Sequence, residues 1–215
     1  MDRAIIYYTS NRESPGFEQR KVDDLLLKCG DIPIISVSQK PINLGKNICV
    51  GDVGASNFNM FRQIQIACQA TEAEFVISAE ADCLYPPDYF TFTPPDERCY
   101  RNSNLYVMGY RKDYFYKKEE GATHAQIINR KVYLKMLEEV FKDLPQWNRE
   151  EKNFPKERTR KADIFDEIAY WETENPVVQI KTKNSMRFHT HSDRTPIYNL
   201  PYWGDSKDFR KKYYV

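Results

Sequence analysis

The chain has 215 residues, 14% of them aromatic, and sets 32 Lys and Arg against 31 Asp and Glu for a formal net charge of +1. That length suffices for one domain with a proper core, and the balanced charge excludes the large electrostatic drive of a nucleic-acid coat or a membrane-surface protein, leaving only local patches. Five cysteines stand singly with no CxxC pair, which argues against a zinc ribbon or disulfide framework and reads as reduced, mostly buried thiols. The amino-terminal MDRAIIYYTS fits neither a secretory signal nor a membrane span, so a cytoplasmic protein with no membrane segment is expected.

In chain order, the β-rich run AIIYYTS (4–10) reads as a strand. RKVDDLLLKCG follows with Val22, Leu25, Leu26 and Cys29 at helical spacing, and Gly30 is a natural stop. IPIISVS (32–38) is the second strand. A loop holding GDVGAS leads to NFNMFRQIQIACQA, where Phe61, Ile64 and Cys68 share a helix face, and EFVISAEAD is the third strand. This β-α-β-α-β order predicts a mostly parallel sheet flanked by helices, with ligands at the carboxyl ends of its strands. Thr9 to Arg12, Ser36 to Gln39 and Glu80 to Asp82 fall at those ends. Farther on, 104–116 and 123–130 read as strands and 131–144 as an amphipathic helix stopped before Pro145. A polar loop, a helix over 163–173 and a last strand over 176–182 complete the expected elements.

Within FVISAEADCLYPPDYF, Glu80 and Asp82 end a run that otherwise reads as buried strand. Burying a carboxylate costs several kcal/mol or more unless it is paired or binds a metal. Two residues apart on extended chain, the pair points one way, and two oxygens on one side suit magnesium or manganese, with water and substrate phosphates filling the other positions. A solvated strand-to-loop turn before Pro86 and Pro87 accounts for the same residues. MRFHTHSD adds His189 and His191, also two apart, and imidazole is a ligand for manganese and other transition ions. The third histidine, His124, reads as structural.

EAD after an apolar strand that closes a βαβαβ unit resembles the DXD motif of the GT-A-fold, metal-dependent nucleotide-sugar glycosyltransferases. GATHAQIINRKVY is similar to the small-residue segment after their acceptor-side strands, and DIFDE stands where inverting members keep an acidic xED motif. The resemblance covers residues 4–191. It implies one GT-A (Rossmann-like) domain over 1–215, with a nucleotide-sugar-binding half (1–100) and a smaller acceptor-side half (101–215) carrying the metal-binding histidine and the tail. It implies Mn2+ or Mg2+ held by Asp82, Glu80 and one of His189 and His191, bound to the diphosphate of a UDP-linked sugar. Glu80 replaces the usual aspartate, so Asp82 is the direct ligand and Glu80 acts through water or the sugar. Thr9, Asn11, Arg12 and Arg62 become nucleotide contacts. The general base falls on Glu167, with Asp166 and Asp163 as the other catalytic candidates, in an inverting hexosyl or pentosyl transfer. Asp163, Asp166 and Glu167 also read as the cap and dipole-favoured start of the expected helix.

A sugar-phosphate nucleotidyltransferase shares the α/β core, but YYTSNRESPGF holds a single glycine where such enzymes carry a Gly-rich loop. GxxxxGK[ST], GxGxxG and GxSxG are all absent, against P-loop NTPases, dinucleotide oxidoreductases and serine hydrolases. A non-catalytic nucleic-acid-binding protein is the rival of a different class, its lysines on phosphates and its tyrosines on bases through YRKDYFYKKEE and DFRKKYYV. The same segments suit an enzyme whose acceptor is a polyanion such as modified DNA, the other acceptor class being a glycan.

Overall fold

The computed structural model describes residues 2–118, 121–150, 164–165, 167–186 and 195–214. Strand β1 (Arg3–Thr9) is followed by α1 (Pro15–Lys28), β2 (Ile34–Ser38), β3 (Lys46–Cys49), α2 (Asn57–Gln69) and β4 (Phe75–Glu80). Next come β5 (Cys83–Leu84), β6 (Cys99–Asn102), β7 (Leu105–Met108), β8 (Phe115–Lys117), β9 (Gln126–Asn129) and α3 (Arg130–Val140). The remaining elements are β10 (Ile168–Trp171), β11 (Val177–Ile180), β12 (Asn199–Leu200), β13 (Gly204–Asp205) and α4 (Ser206–Tyr213).

The central sheet has the order β10-β6-β9-β4-β1-β2-β3. Only β9 runs antiparallel to its neighbours β4 and β6; the other pairings are parallel. The fold is therefore a mixed α/β arrangement around a mostly parallel sheet, as the alternation of elements predicts. β1 is buried on both faces, and its alternating side chains divide the core between them. Ile5 and Tyr7 pack with Val22 and Leu25 of α1, whereas Ile6 and Tyr8 pack with Phe58, Phe61 and Ile64 of α2 and with Tyr133 and Leu137 of α3. A second sheet, β5-β11-β7-β8, adjoins the end of β4.

Several local expectations need correction. The segment expected as a helix over 163–173 contains β10, which pairs parallel with β6 from Ile168↔Cys99 to Trp171↔Asn102. An open sheet edge offers backbone partners that an isolated turn of helix lacks, and Ile168, Tyr170 and Trp171 suit a pleated surface. Leu26 is 50% exposed, because α4 covers the other flank of α1 and buries Lys21 and Asp24 there instead. β3 occupies part of the expected loop, and 104–116 divides into β7 and β8 around a turn.

Candidate functional site

At the carboxyl ends of β1 and β4 lies a cleft of about 130 Å3 lined by Tyr8, Thr9, Arg12, Glu80, Asp82 and, from the start of α2, Gly54 and Ser56. Ligand pockets that enclose whole molecules measure about 300–1,000 Å3, so a nucleotide would lie along these strand ends rather than inside a closed chamber.

Local hydrogen bonds fix the cleft's shape. Asn11 takes a left-handed backbone (φ 49°), which asparagine tolerates better than most residues. Its side-chain oxygen accepts from the N–H groups of Gln39 and Lys40, at 2.9 and 2.8 Å, and its amide donates to Glu18 Oε2 at 2.9 Å. Gln63 of α2 donates to the carbonyls of Thr9 and Val37, tying β1 to β2 at their ends. Ser56 caps α2 by accepting from Asn59 N–H at 3.0 Å. Gly54 (φ 82°) approaches Arg149 so closely that a Cβ would lie 2.7 Å from its Cγ.

Glu80 and Asp82 both line the cleft, and each has specific partners. Tyr8 O–H donates to Glu80 Oε1 at 2.9 Å, and Glu80 N–H donates to Tyr85 Oη at 2.9 Å. Asp82 accepts from Gln179 Nε2 at 3.1 Å, from the Cys83 thiol at 3.3 Å, and has Lys181 Nζ at 3.9 Å. The sheet that bears β11 thus supplies the nearest cation. Burial, followed by the charge of Asp82, pushes Glu80 up to about 7, against the pull of the Tyr8 hydrogen bond and of Lys181. Burial and the neighbouring Lys181 bring Lys118 down to about 8.

The donor set fits a hard divalent cation: two carboxylates that line one cleft at a strand end, of which Glu80 is raised by burial and by the charge of Asp82. Lys181 would compete with such an ion for Asp82. A second, softer set lies beneath, where ligand atoms of Glu80, Cys83 and His124 all fall within 4.8 Å of one another. Burial and nearby cations hold His124 well below the ordinary imidazole range, so it is neutral.

The other expected site residues part company. Thr9 and Arg12 line the cleft, whereas Asn11 builds the loop beneath it. Arg62 is buried elsewhere: its guanidinium donates to the carbonyls of Leu144 and Pro145 and lies 3.8 Å from the Phe141 ring. That clamps the end of α3 to α2. Glu167 precedes β10 at the opposite end of the sheet, beside Arg98, Val132 and Phe165. Ile168 pairs with Cys99, Tyr100 with Ile127 and Ile127 with Ile77, so Glu167 is level with the start of β4 and three strands away. At about 3.3 Å per residue and 4.8 Å per strand, this is roughly 20 Å from Glu80. His189, His191, Asp163 and Asp166 lie outside the described residues.

Sequence reasoning missed Lys181 and Gln179, because nothing local ties a lysine in IKTK to a carboxylate about a hundred positions earlier. It also passed over the GDVGAS loop, where a serine before NFNM is a legible helix-cap signal.

No protein-family model matches the sequence, and no curated protein does. Solved structures share the fold at low identity. HddC from Yersinia pseudotuberculosis is 12% identical, with a TM-score of 0.50 over 83% of this chain and 93% of that one. The S. aureus TarS fragment 1–349 in complex with UDP-GlcNAc is 11% identical, with a TM-score of 0.48 over 87% of this chain and 60% of that one. A glycosyltransferase involved in the glycosylation of the major capsid of PBCV-1 is 10% identical, with a TM-score of 0.46 over 83% of this chain and 93% of that one. The chain spans 50% of the length of another, the bifunctional IspDF from Campylobacter jejuni. These neighbours are glycosyltransferases and nucleotidyltransferases. Of those named, the HddC likeness reaches a TM-score of 0.5, and it bears on the fold alone.

Proposed function

We propose that this protein is a glycosyltransferase that moves a sugar from a nucleotide-sugar donor, UDP-linked, to an acceptor hydroxyl. The observation that carries the reading is the pair Glu80 and Asp82, set at the carboxyl end of a central parallel strand in a cleft that Thr9 and Arg12 also line. A polar pair so placed is costly to the fold and suits a diphosphate bridged by a cation.

In this reading Thr9 and Arg12 face the nucleotide, while Asn11 and Gln63 hold the loop and strand ends that receive it. Asp82, with Glu80 beside it, would hold Mn2+ or Mg2+, which when bound neutralises charge on the departing diphosphate. Lys181, its ammonium 3.9 Å from Asp82, brings a positive charge to the same side of the cleft. Activation of the acceptor does not run through Glu167, which is too far from the cleft to touch a sugar bound there. Inversion at the anomeric carbon, which the acidic xED resemblance implied, loses its base with Glu167, and proton NMR of the first product reads the stereochemical course.

A thermal-shift panel of nucleotide sugars, with manganese or with chelator, tests the reading, since a ligand that binds only the folded chain raises its melting temperature. Stabilisation by a UDP-sugar that needs manganese supports it; no shift with any nucleotide sugar contradicts it. The nucleotidyltransferase alternative is separated by offering a nucleoside triphosphate with a sugar phosphate and measuring released pyrophosphate.

A further inference from the structure

We infer that the turn over residues 109–114 and helix α4 form one track for a single nucleic-acid strand, which makes a nucleic acid the acceptor of the proposed transferase. The acceptor role rests on that proposal; the binding does not.

The two basic-aromatic segments are far apart in sequence, and the fold joins them. Phe115 packs edge-on against Phe209 with ring centroids 4.9 Å apart. Ser206 Oγ donates to Asp113 O at 2.6 Å, and Arg210 Nη1 donates to Lys112 O at 3.1 Å. Inward-facing Phe209 and Tyr213 fix the rotation of α4, so Lys207 and Lys211 are exposed on the flank that Arg210 joins to the turn with exposed Arg111 and Lys112, while exposed Lys212 lies on the other flank. Residues 109–114 and 206–214 together hold six cations against two acids, in a chain whose net charge is only +1. Both acids are engaged, Asp113 with Arg210 at 3.4 Å and Asp208 with Lys211 at 3.1 Å.

Aromatic rings interleave with these cations, and of those named here Tyr198 is the exposed one. The Arg210 guanidinium lies 3.9 Å from the Tyr214 ring and that of Arg111 5.0 Å from Tyr110. Tyr198, 58% exposed, stands edge-on to Tyr114 at 6.1 Å. Cations along a backbone with rings for successive bases are what single-stranded nucleic acid requires, whereas a polyphosphate would use the lysines and leave the tyrosines idle. The turn is tied to the cleft through the second sheet. Lys181, whose ammonium is 3.9 Å from Asp82, donates its N–H at 2.9 Å to the carbonyl of Met108, the residue before the turn begins.

The test is fluorescence anisotropy of a labelled single-stranded oligonucleotide over a salt series, alongside the UDP-sugar thermal shift. Contact with four to six phosphates gives a slope of log K against log salt of about −3 to −4. The double charge reversal Lys207→Glu with Lys211→Glu should weaken binding at least tenfold and flatten the slope, with the UDP-sugar shift intact. Tyr198→Ala should weaken oligonucleotide binding about tenfold and leave polyphosphate binding unchanged. Lys135→Glu, on the exposed side of α3, should change nothing. Salt-independent or absent binding overturns the track, as does an equal loss in Lys135→Glu. Polyphosphate binding as tightly as the oligonucleotide, with Tyr198→Ala without effect, overturns its assignment to nucleic acid. Oligonucleotide binding by a chain that no UDP-sugar stabilises upholds the track and overturns the transferase reading.

Discussion

Replacing Glu80 with glutamine should make the protein more stable above neutral pH, although it removes a residue of the candidate site. Burial and the charge of Asp82 raise this carboxyl from 4.5 to about 7. Between those values the folded chain keeps a proton that the unfolded chain has lost, so stability falls as pH rises through the window. The contribution is complete below about 4.5 and gone above about 7. At 1.36 kcal/mol per pKa unit the ceiling is about 3.4 kcal/mol, and partial exposure together with coupling to Asp82 reduces it to about 2 kcal/mol. Glutamine cannot ionise, has nearly the same size, and still accepts from Tyr8 O–H. Glu80→Gln should therefore exceed the parent by about 2 kcal/mol at pH 8 and match it near pH 4.5, a gap of about 4–8 °C in Tm for a chain of this length. Thermal melts in chelator across that range measure it, other carboxylates cancelling in the difference. Manganese should then raise the parent at pH 8 more than the variant. Parallel profiles for the two proteins would refute the account of Glu80 as a strained, cation-seeking carboxylate.

Arg62→Ala removes two carbonyl partners and the face of Phe141, and should cost about 1–3 kcal/mol of stability in denaturant titrations while leaving UDP-sugar affinity unchanged. Asn11→Ala frees the N–H groups of Gln39 and Lys40 and should cost about 1–3 kcal/mol, with weaker donor binding as the loop loosens. Glu167→Gln should keep full transfer activity; a loss of 10²-fold or more, the scale of general-base catalysis, would return that residue to the chemistry.

Much of the candidate site's placement was legible because parallel α/β chains announce their strand ends. The burial of AIIYY and FVISA fixed where β1 and β4 finish, and hence where Thr9, Arg12, Glu80 and Asp82 meet. Contacts set by distant pairing were not legible. Asp82 meets Gln179 and Lys181 only because β11 pairs with β5, and Glu167 leaves the site because IAYW joins the edge of β6 instead of coiling. Arg62 shows the same limit from the other side. An arginine on a helix beside the strand ends reads as a ligand contact until the end of α3 is found lying across it.

The central claim is that Asp82 in this cleft holds a nucleotide-sugar diphosphate through a divalent cation. Equilibrium binding of a UDP-sugar to the parent and to Asp82→Asn, each with manganese and with chelator, tests it most directly. The account predicts binding that needs both manganese and Asp82, and that survives in Glu167→Gln; equal affinity in Asp82→Asn, or affinity indifferent to chelator, would contradict it.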